Sequence, residues 1–135
     1  MTISYREDKC FTPEQVEALF LSVGWLSGKY PKRLAKALNG SDTVISAWDG
    51  SRLVGLVNAI DDGELTAYAH YVLVHSAYHG HGIGKELVRR LKEKYRGYLY
   101  LLLLADDPNN IPFYEQYGFT ATGSTPMMIM TEETP

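Results

Sequence analysis

The chain has 135 residues and a mass of 15.2 kDa, the size of one domain. A chain of that length buries about two-thirds of its unfolded surface, so it folds without disulfides or a structural metal. Hydrophobic residues make up 45% and charged residues 21%, which excludes disordered, collagen-like and coiled-coil classes; the net charge of −3 argues against a phosphate-backbone binder.

Residues 1–135 are read as a single domain, since no repeat, low-complexity tract or Pro/Gly linker divides them. Thr2 to Arg6 reads as a strand. Thr12-Pro13-Glu14-Gln15 opens a helix, with Thr at the cap, Pro at the first position and Gln closing a capping box. Val16, Leu19, Phe20 and Val23 form its apolar face, and Gly24-Trp25 ends it. A second helix is expected over Pro31 to Leu38, stopped by Asn39-Gly40. Thr43 to Trp48 and Leu53 to Ile60 read as a hairpin around Asp49-Gly50. After the Asp61-Asp62-Gly63 turn, Leu65 to Val74 reads as a long strand.

Gly80 to Gly84 is a glycine-rich turn leading into the clearest helix of the chain, with Ile83, Leu87, Val88 and Leu91 on one face. Tyr98 to Leu104 is apolar on both faces and reads as a buried central strand. Asn109 to Tyr117 reads as a short helix closed by Gly118, and Phe119 to Thr122 and Met127 to Met130 read as closing strands. The expected fold is α/β (α+β), a mixed, mostly antiparallel sheet of about six or seven strands flanked by about four helices.

Cys10 is the one cysteine, which fits a reducing, cytoplasmic setting. The longest apolar run, Tyr98 to Ala105, is far short of the roughly 20 residues that span a bilayer, and residues 1–9 lack a signal-peptide core, so neither a membrane nor a secretory route is expected.

His79-Gly80-His81-Gly82-Ile83-Gly84-Lys85 is the chemically richest segment. Alternate glycines allow unusual dihedrals and close ligand approach, and unpaired N–H groups at a helix start suit an anion. The spacing fits neither a dinucleotide fingerprint nor a Walker A loop, and a tight turn without ligand explains the glycines equally well.

The segment resembles the central motif of the GNAT acyltransferase superfamily, Q/R-x-x-G-x-G/A, through Gly82 and Gly84, with Gly80 and Ile83 matching a common version. His79 stands where Gln or Arg is usual. Asn110 to Phe119, with Phe113-Tyr114 and Gly118-Phe119, resembles the family's helix-to-strand segment.

The resemblance implies transfer of an acetyl group from acetyl-CoA to a primary amine. Val72, Leu73 and Val74 would bond the pantetheine through their main chain. The backbone from His79 and Gly80 through His81, Gly82, Ile83, Gly84 and Lys85 would hold the pyrophosphate, and Asn110 would contact the pantetheine arm. Tyr114 occupies the position of a general acid for the departing thiolate. Where some members carry a strand carboxylate, this chain has Tyr68.

Strand alternation puts Tyr68, His70, Val72 and Val74 on one face, which makes His70 the candidate base, directly or through water. A hydrogen-bonded His without catalytic duty fits the same pattern. Trp25, Tyr30 and Tyr68 are candidate acceptor-binding rings. Asp61, Asp62, Glu64, Asp106 and Asp107 are candidates for an acidic rim that would favour a cationic, small-molecule amine. The four histidines point in different directions and no metal site is expected. Homodimers are common in the family, so a homodimer is an expectation. Two alternatives remain open: a catalytically silent acyl-CoA-binding module, and acetylation of a protein amine.

Overall fold

The computed structural model describes residues 1–130. The first strand, β1, covers Ile3–Arg6. Helix α1 spans Pro13–Ser22, and its capping box forms as the sequence requires: Gln15 N–H donates to Thr12 Oγ1 at 3.2 Å, and Thr12 N–H donates to Gln15 Oε1 at 3.0 Å. A 3-10 turn over Leu26–Lys29 leads to α2, Pro31–Asn39. Strands β2, Thr43–Asp49, and β3, Arg52–Asp61, form the hairpin, with Gly50 at φ +61° in its turn. Then come β4, Thr66–Val74, α3, Ile83–Lys94, β5, Tyr100–Leu103, and the short α4, Ile111–Glu115.

Among the described residues the sheet has five strands in chain order, antiparallel throughout except for the parallel β4–β5 pair made by the α3 crossover. Two apolar clusters cover its faces. On one, Val16, Leu19 and Phe20 of α1 and Leu34 and Leu38 of α2 pack on Val44, Leu56 and Leu73. On the other, Ile83, Leu87 and Leu91 of α3 pack on Val54, Val57 and the small residues Ala59, Ala67 and Ala69. Gly55 lies beneath α3, where an added Cβ would stand 3.2 Å from Ile83 Cγ2 and 3.3 Å from Leu87 Cδ1. A larger residue there would push the helix off the sheet.

A β-bulge interrupts the β3–β4 ladder. Val57 faces Val72 and Ala59 faces Ala69, so His70 and Tyr71 together oppose Asn58. The extra residue changes the side-chain phase, and strict alternation fails. Ala67, Ala69, Val72 and Val74 lie against the α3 cluster, while Tyr71 and Leu73 join the α1 cluster. Tyr68 and His70 therefore do not share a face with Val72 and Val74, as simple alternation predicted.

The C-terminal third differs from the sequence expectation. Residues 98–104 do not form a buried central strand: β5 is an edge strand, with Tyr100 and Leu102 exposed. Residues 119–122 and 127–130 are not strands, so among the described residues the sheet has five strands instead of six or seven. An apolar run records that its side chains leave water, and not which chain buries them.

Candidate active site

Pairing between β4 and β5 runs from Thr66–Tyr100 to Ala69–Leu103 and stops there. Pairing between β4 and β3 continues to Val74, opposite Gly55. Beyond Ala69 the edge of β4 that faces β5 therefore has no strand partner among the described residues. Beside this free edge lies a cleft of about 470 Å³. Val72, Leu73 and Val74 line its sheet side, His79, Gly80, Gly82, Ile83, Gly84 and Lys85 its α3 side, and Asn110 and Tyr114 its α4 side; Trp25 closes one end. The sequence placed all of these residues at a site. It missed Val23, Tyr78 and Phe113, which also line the cleft. Phe113 stood beside Tyr114 in the motif and could have been included; Tyr78 carried no signal.

The glycine turn is shaped for approach from outside. Gly80 and Gly82 sit at φ +83° and +77°, and a Cβ on either would meet nothing within 4 Å. Gly82 caps α3 with no side-chain hydrogen bond. Glu86 is the residue whose N–H bonds back to Gly82 O, at 3.1 Å, so the preceding N–H groups of the first turn are left without helical partners. An anion over this turn would meet those donors and the positive end of the helix dipole.

His79 folds back instead of reaching outward: its Nε2–H donates to Val74 O at 2.8 Å. That bond fixes the tautomer and ties the turn to the end of β4. Tyr78 is held from the far side, where its hydroxyl donates to Asp49 Oδ2 at 2.5 Å and Arg52 lies 5.3 Å over its ring.

A ring stack borders the cleft. Because of the bulge, the consecutive residues His70 and Tyr71 stack, with centroids 4.1 Å apart and planes at 14°. Tyr68 stacks with His70 at 5.6 Å, and Trp25 tilts against Tyr71 at 5.8 Å. Ser27 Oγ and the Tyr71 hydroxyl are 2.6 Å apart. Partial burial in this stack lowers the His70 pKa, against the opposing pull of the Asp106 carboxylate. The same carboxylate raises Tyr68 and Tyr114, in each case after burial, so Asp106 acts on all three groups.

Tyr114 packs edge-on against Phe113 at 5.2 Å and Phe119 at 6.0 Å, and its raised pKa keeps the phenol protonated at neutral pH. Tyr30 is not brought to the cleft; Arg33 of α2 lies 5.8 Å over its ring. Tyr68, His70 and His81 are not among the residues that line it.

The acidic rim separates. Asp62 Oδ1 accepts the N–H groups of Glu64, Leu65 and Thr66 at 2.9, 2.7 and 3.0 Å, and Asp61 accepts from the Tyr95 hydroxyl at 2.8 Å. These acids stitch the turn at the start of β4, roughly 20 Å along the strand from Val72. Asp106 remains by the ring stack, and Asp107 caps the turn before Asn110 by accepting the Asn109 N–H at 3.0 Å. Among the described residues, no three His, Cys, Asp or Glu side chains converge on a point that would hold a metal, and no helix is long and apolar enough to cross a membrane.

Known proteins resemble this chain in sequence and fold. The chain is 36% identical over 114 residues to an uncharacterized N-acetyltransferase ycf52-like of Prochlorococcus marinus, covering 78% of this chain and 61% of the relative. It is 32% identical over 111 residues to an uncharacterized N-acetyltransferase ycf52 of Porphyra purpurea, covering 78% and 63%. The chain thus spans about three-fifths of the length of these curated relatives. A GNAT-family acetyltransferase of Streptococcus pneumoniae superposes with a TM-score of 0.82 at 25% identity, over 96% of this chain and 98% of that one. Glucosamine-6-phosphate N-acetyltransferase of Arabidopsis thaliana shares the fold, with a TM-score of 0.71 at 16% identity over 98% and 100% of the two chains. The sequence pattern of the acetyltransferase (GNAT) family matches residues 7–119, and the chain belongs to that family.

Proposed function

We propose that the protein transfers an acetyl group from acetyl-CoA to a primary amine, by direct attack within a ternary complex. The observation that carries this reading is the unpaired β4 edge beyond Ala69 beside an uncapped, glycine-lined helix start. It sets unpaired strand edge and unpaired helix N–H groups around one cleft. The free edge over Val72 and Leu73 suits the amides of a pantetheine arm. The N–H groups from His81 to Lys85 suit a pyrophosphate, and the open space over Gly80 and Gly82 leaves room for one.

The protein's own groups then divide the proton work. The amine must lose a proton to attack the thioester carbonyl. His70, whose lowered pKa keeps it neutral at pH 7, takes that proton through water. As the C–S bond breaks, Tyr114 donates its phenolic proton to the sulfur. A phenol above 10 and a thiol near 8.5 make that transfer uphill in water, but the half-buried cleft also disfavours a bare thiolate. Asp106, near both groups, favours a cationic acceptor. The acceptor is read as a small-molecule amine.

The deciding experiment follows thiol release from acetyl-CoA with a panel of small amines and with peptides. Release on small amines supports the reading, and release on peptides alone moves the acceptor to a protein amine. One observation favours a silent acyl-CoA-binding module: His79 occupies the Val74 carbonyl, a group expected to face the pantetheine. Calorimetric binding of acetyl-CoA without thiol release on any amine would establish that reading.

A further inference from the structure

A second cleft, of about 480 Å³, opens at the far end of α3. Leu101 of β5, Tyr95 and Tyr117 give it an apolar floor, and Arg89, Lys92 and Arg96 a cationic rim, with Glu93 as the one carboxylate. Small-molecule sites range over roughly 300–1,000 Å³, so the size fits one. The two clefts share no lining residue. Lys92 stands seven residues beyond Lys85 of the first cleft, about 10 Å further along the helix axis.

Helix α3 sorts its cations to two sides. Arg90 lies 4.6 Å over the Tyr5 ring and Lys94 pairs with Glu7 at 3.1 Å, so both serve the β1 side. Arg89, Lys92 and Arg96, at spacings of three and four, share the other side. Arg89 and Arg90 divide the Glu86 carboxylate between them, and Arg96 takes Glu93 at 3.3 Å. Lys92 has no hydrogen-bond or ion-pair partner among the described residues. Its Nζ hangs over the cleft, 3.8 Å from where a Cβ on Gly118 would stand. The floor beneath it offers no competing acceptor. The Tyr95 hydroxyl is turned away, to Thr43 Oγ1 and Asp61 Oδ2 at 2.8 Å each, and the Tyr117 ring is held by Phe113 at 5.4 Å. An unanswered cation above apolar rings suits an anion that carries its own apolar body.

We propose that this cleft is a second binding site, for a small molecule with one carboxylate or phosphate group on a flat apolar body. The anion sits between Lys92 and the Arg96 guanidinium, and the body lies on Leu101 and the two rings. Nothing in this site depends on the acetyl-transfer reading.

The test titrates the isotope-labelled full chain with phenyl phosphate and with benzoate and follows the backbone amide shifts. Saturating shifts in residues 89–96, at Leu101 and at Tyr117 are expected, and the tighter probe identifies the anion as phosphate or carboxylate. Shifts that never saturate, or that are confined to residues 79–85, overturn the site. Inorganic phosphate and benzyl alcohol, the separate halves, are expected to bind at least about tenfold more weakly than the tighter probe; equal binding by either overturns the joint recognition. Lys92→Glu and Arg96→Gln, both at exposed positions, are each expected to weaken that probe several-fold in a folded protein, and full affinity in both variants overturns the placement. Saturating coenzyme A is expected to leave the probe bound; displacement would make the cleft an extension of the first and overturn a separate site.

Discussion

Asn58 holds Tyr71: its Oδ1 accepts the Tyr71 N–H at 2.9 Å at the point where the β3–β4 ladder skips a residue. Its Nδ2 donates to Ser41 Oγ at 3.2 Å, and Ser41 in turn donates to Ala37 O of α2 at 3.0 Å. A buried side chain thus stands in for the missing strand partner, and the bulge it supports puts His70 and Tyr71 on one side. Asn58→Ala leaves the Tyr71 amide unpaired and is expected to cost about 1–3 kcal/mol in urea unfolding. If stability is unchanged, the bulge does not depend on Asn58.

Tyr114→Phe is expected to lower kcat roughly 100-fold while acetyl-CoA affinity stays within about twofold. The split separates an acid from a packing ring. Equal losses in both would mean that Tyr114 only shapes the cleft.

Gly82→Val should act twice. A β-branched residue at φ +77° is strained by about 1–3 kcal/mol, visible as a lower melting temperature. Its side chain also enters the open space over the turn, so coenzyme A affinity should fall by more than the folded fraction does. Undiminished affinity in the folded variant would remove the pyrophosphate from this turn.

The His70 imidazole titrates below its ordinary value, because partial burial penalises its charged form. As the base it must be neutral, so kcat/KM should rise through an acid limb centred below about 6.5 and then level off. His70→Gln should abolish that limb. The same shift bears on stability: below about pH 6.5 the unfolded chain takes up a proton that the folded ring resists, so acid favours unfolding there. A limb unchanged in the variant would assign the proton to solvent or another group.

Thr12→Ala removes one half of the capping box at the start of α1 and is expected to cost about 1 kcal/mol by thermal or urea unfolding. No loss would show that Gln15 alone suffices.

Much of this fold was legible because its signals are local. Thr12-Pro13 and Gln15 set a helix start through hydrogen bonds three residues apart, and the helical spacing of Ile83, Leu87 and Leu91 names the face that meets the sheet. The glycine turn and Tyr114 were readable through resemblance and are brought to one cleft. The ring stack was not readable. It depends on one unpaired residue in β4, which a period-two pattern cannot register without knowing that Asn58 lies opposite. The edge position of β5 was hidden for a related reason: an uncharged run of leucines looks the same whether helices, a partner copy or nothing covers it. Asp61 and Asp62 looked like a rim in sequence, but their carboxylates are used up in closing a turn.

The short parallel ladder between β4 and β5 has a thermodynamic consequence. Four residue pairs hold β5, whereas β3 and β4 are joined from Gly55 to Asp61. Like β1, which four pairs also hold, the strand is an element that local opening would release ahead of the hairpin. A ligand seated in the cleft would hold the β4 edge just beyond the last β4–β5 pair and so favour the state in which the sheet is intact. By linkage, ligand at 100 times its dissociation constant adds about 2.7 kcal/mol to the folded state. Amide hydrogen exchange in β5 would slow in step, making the occupied cleft a part of what keeps the sheet whole.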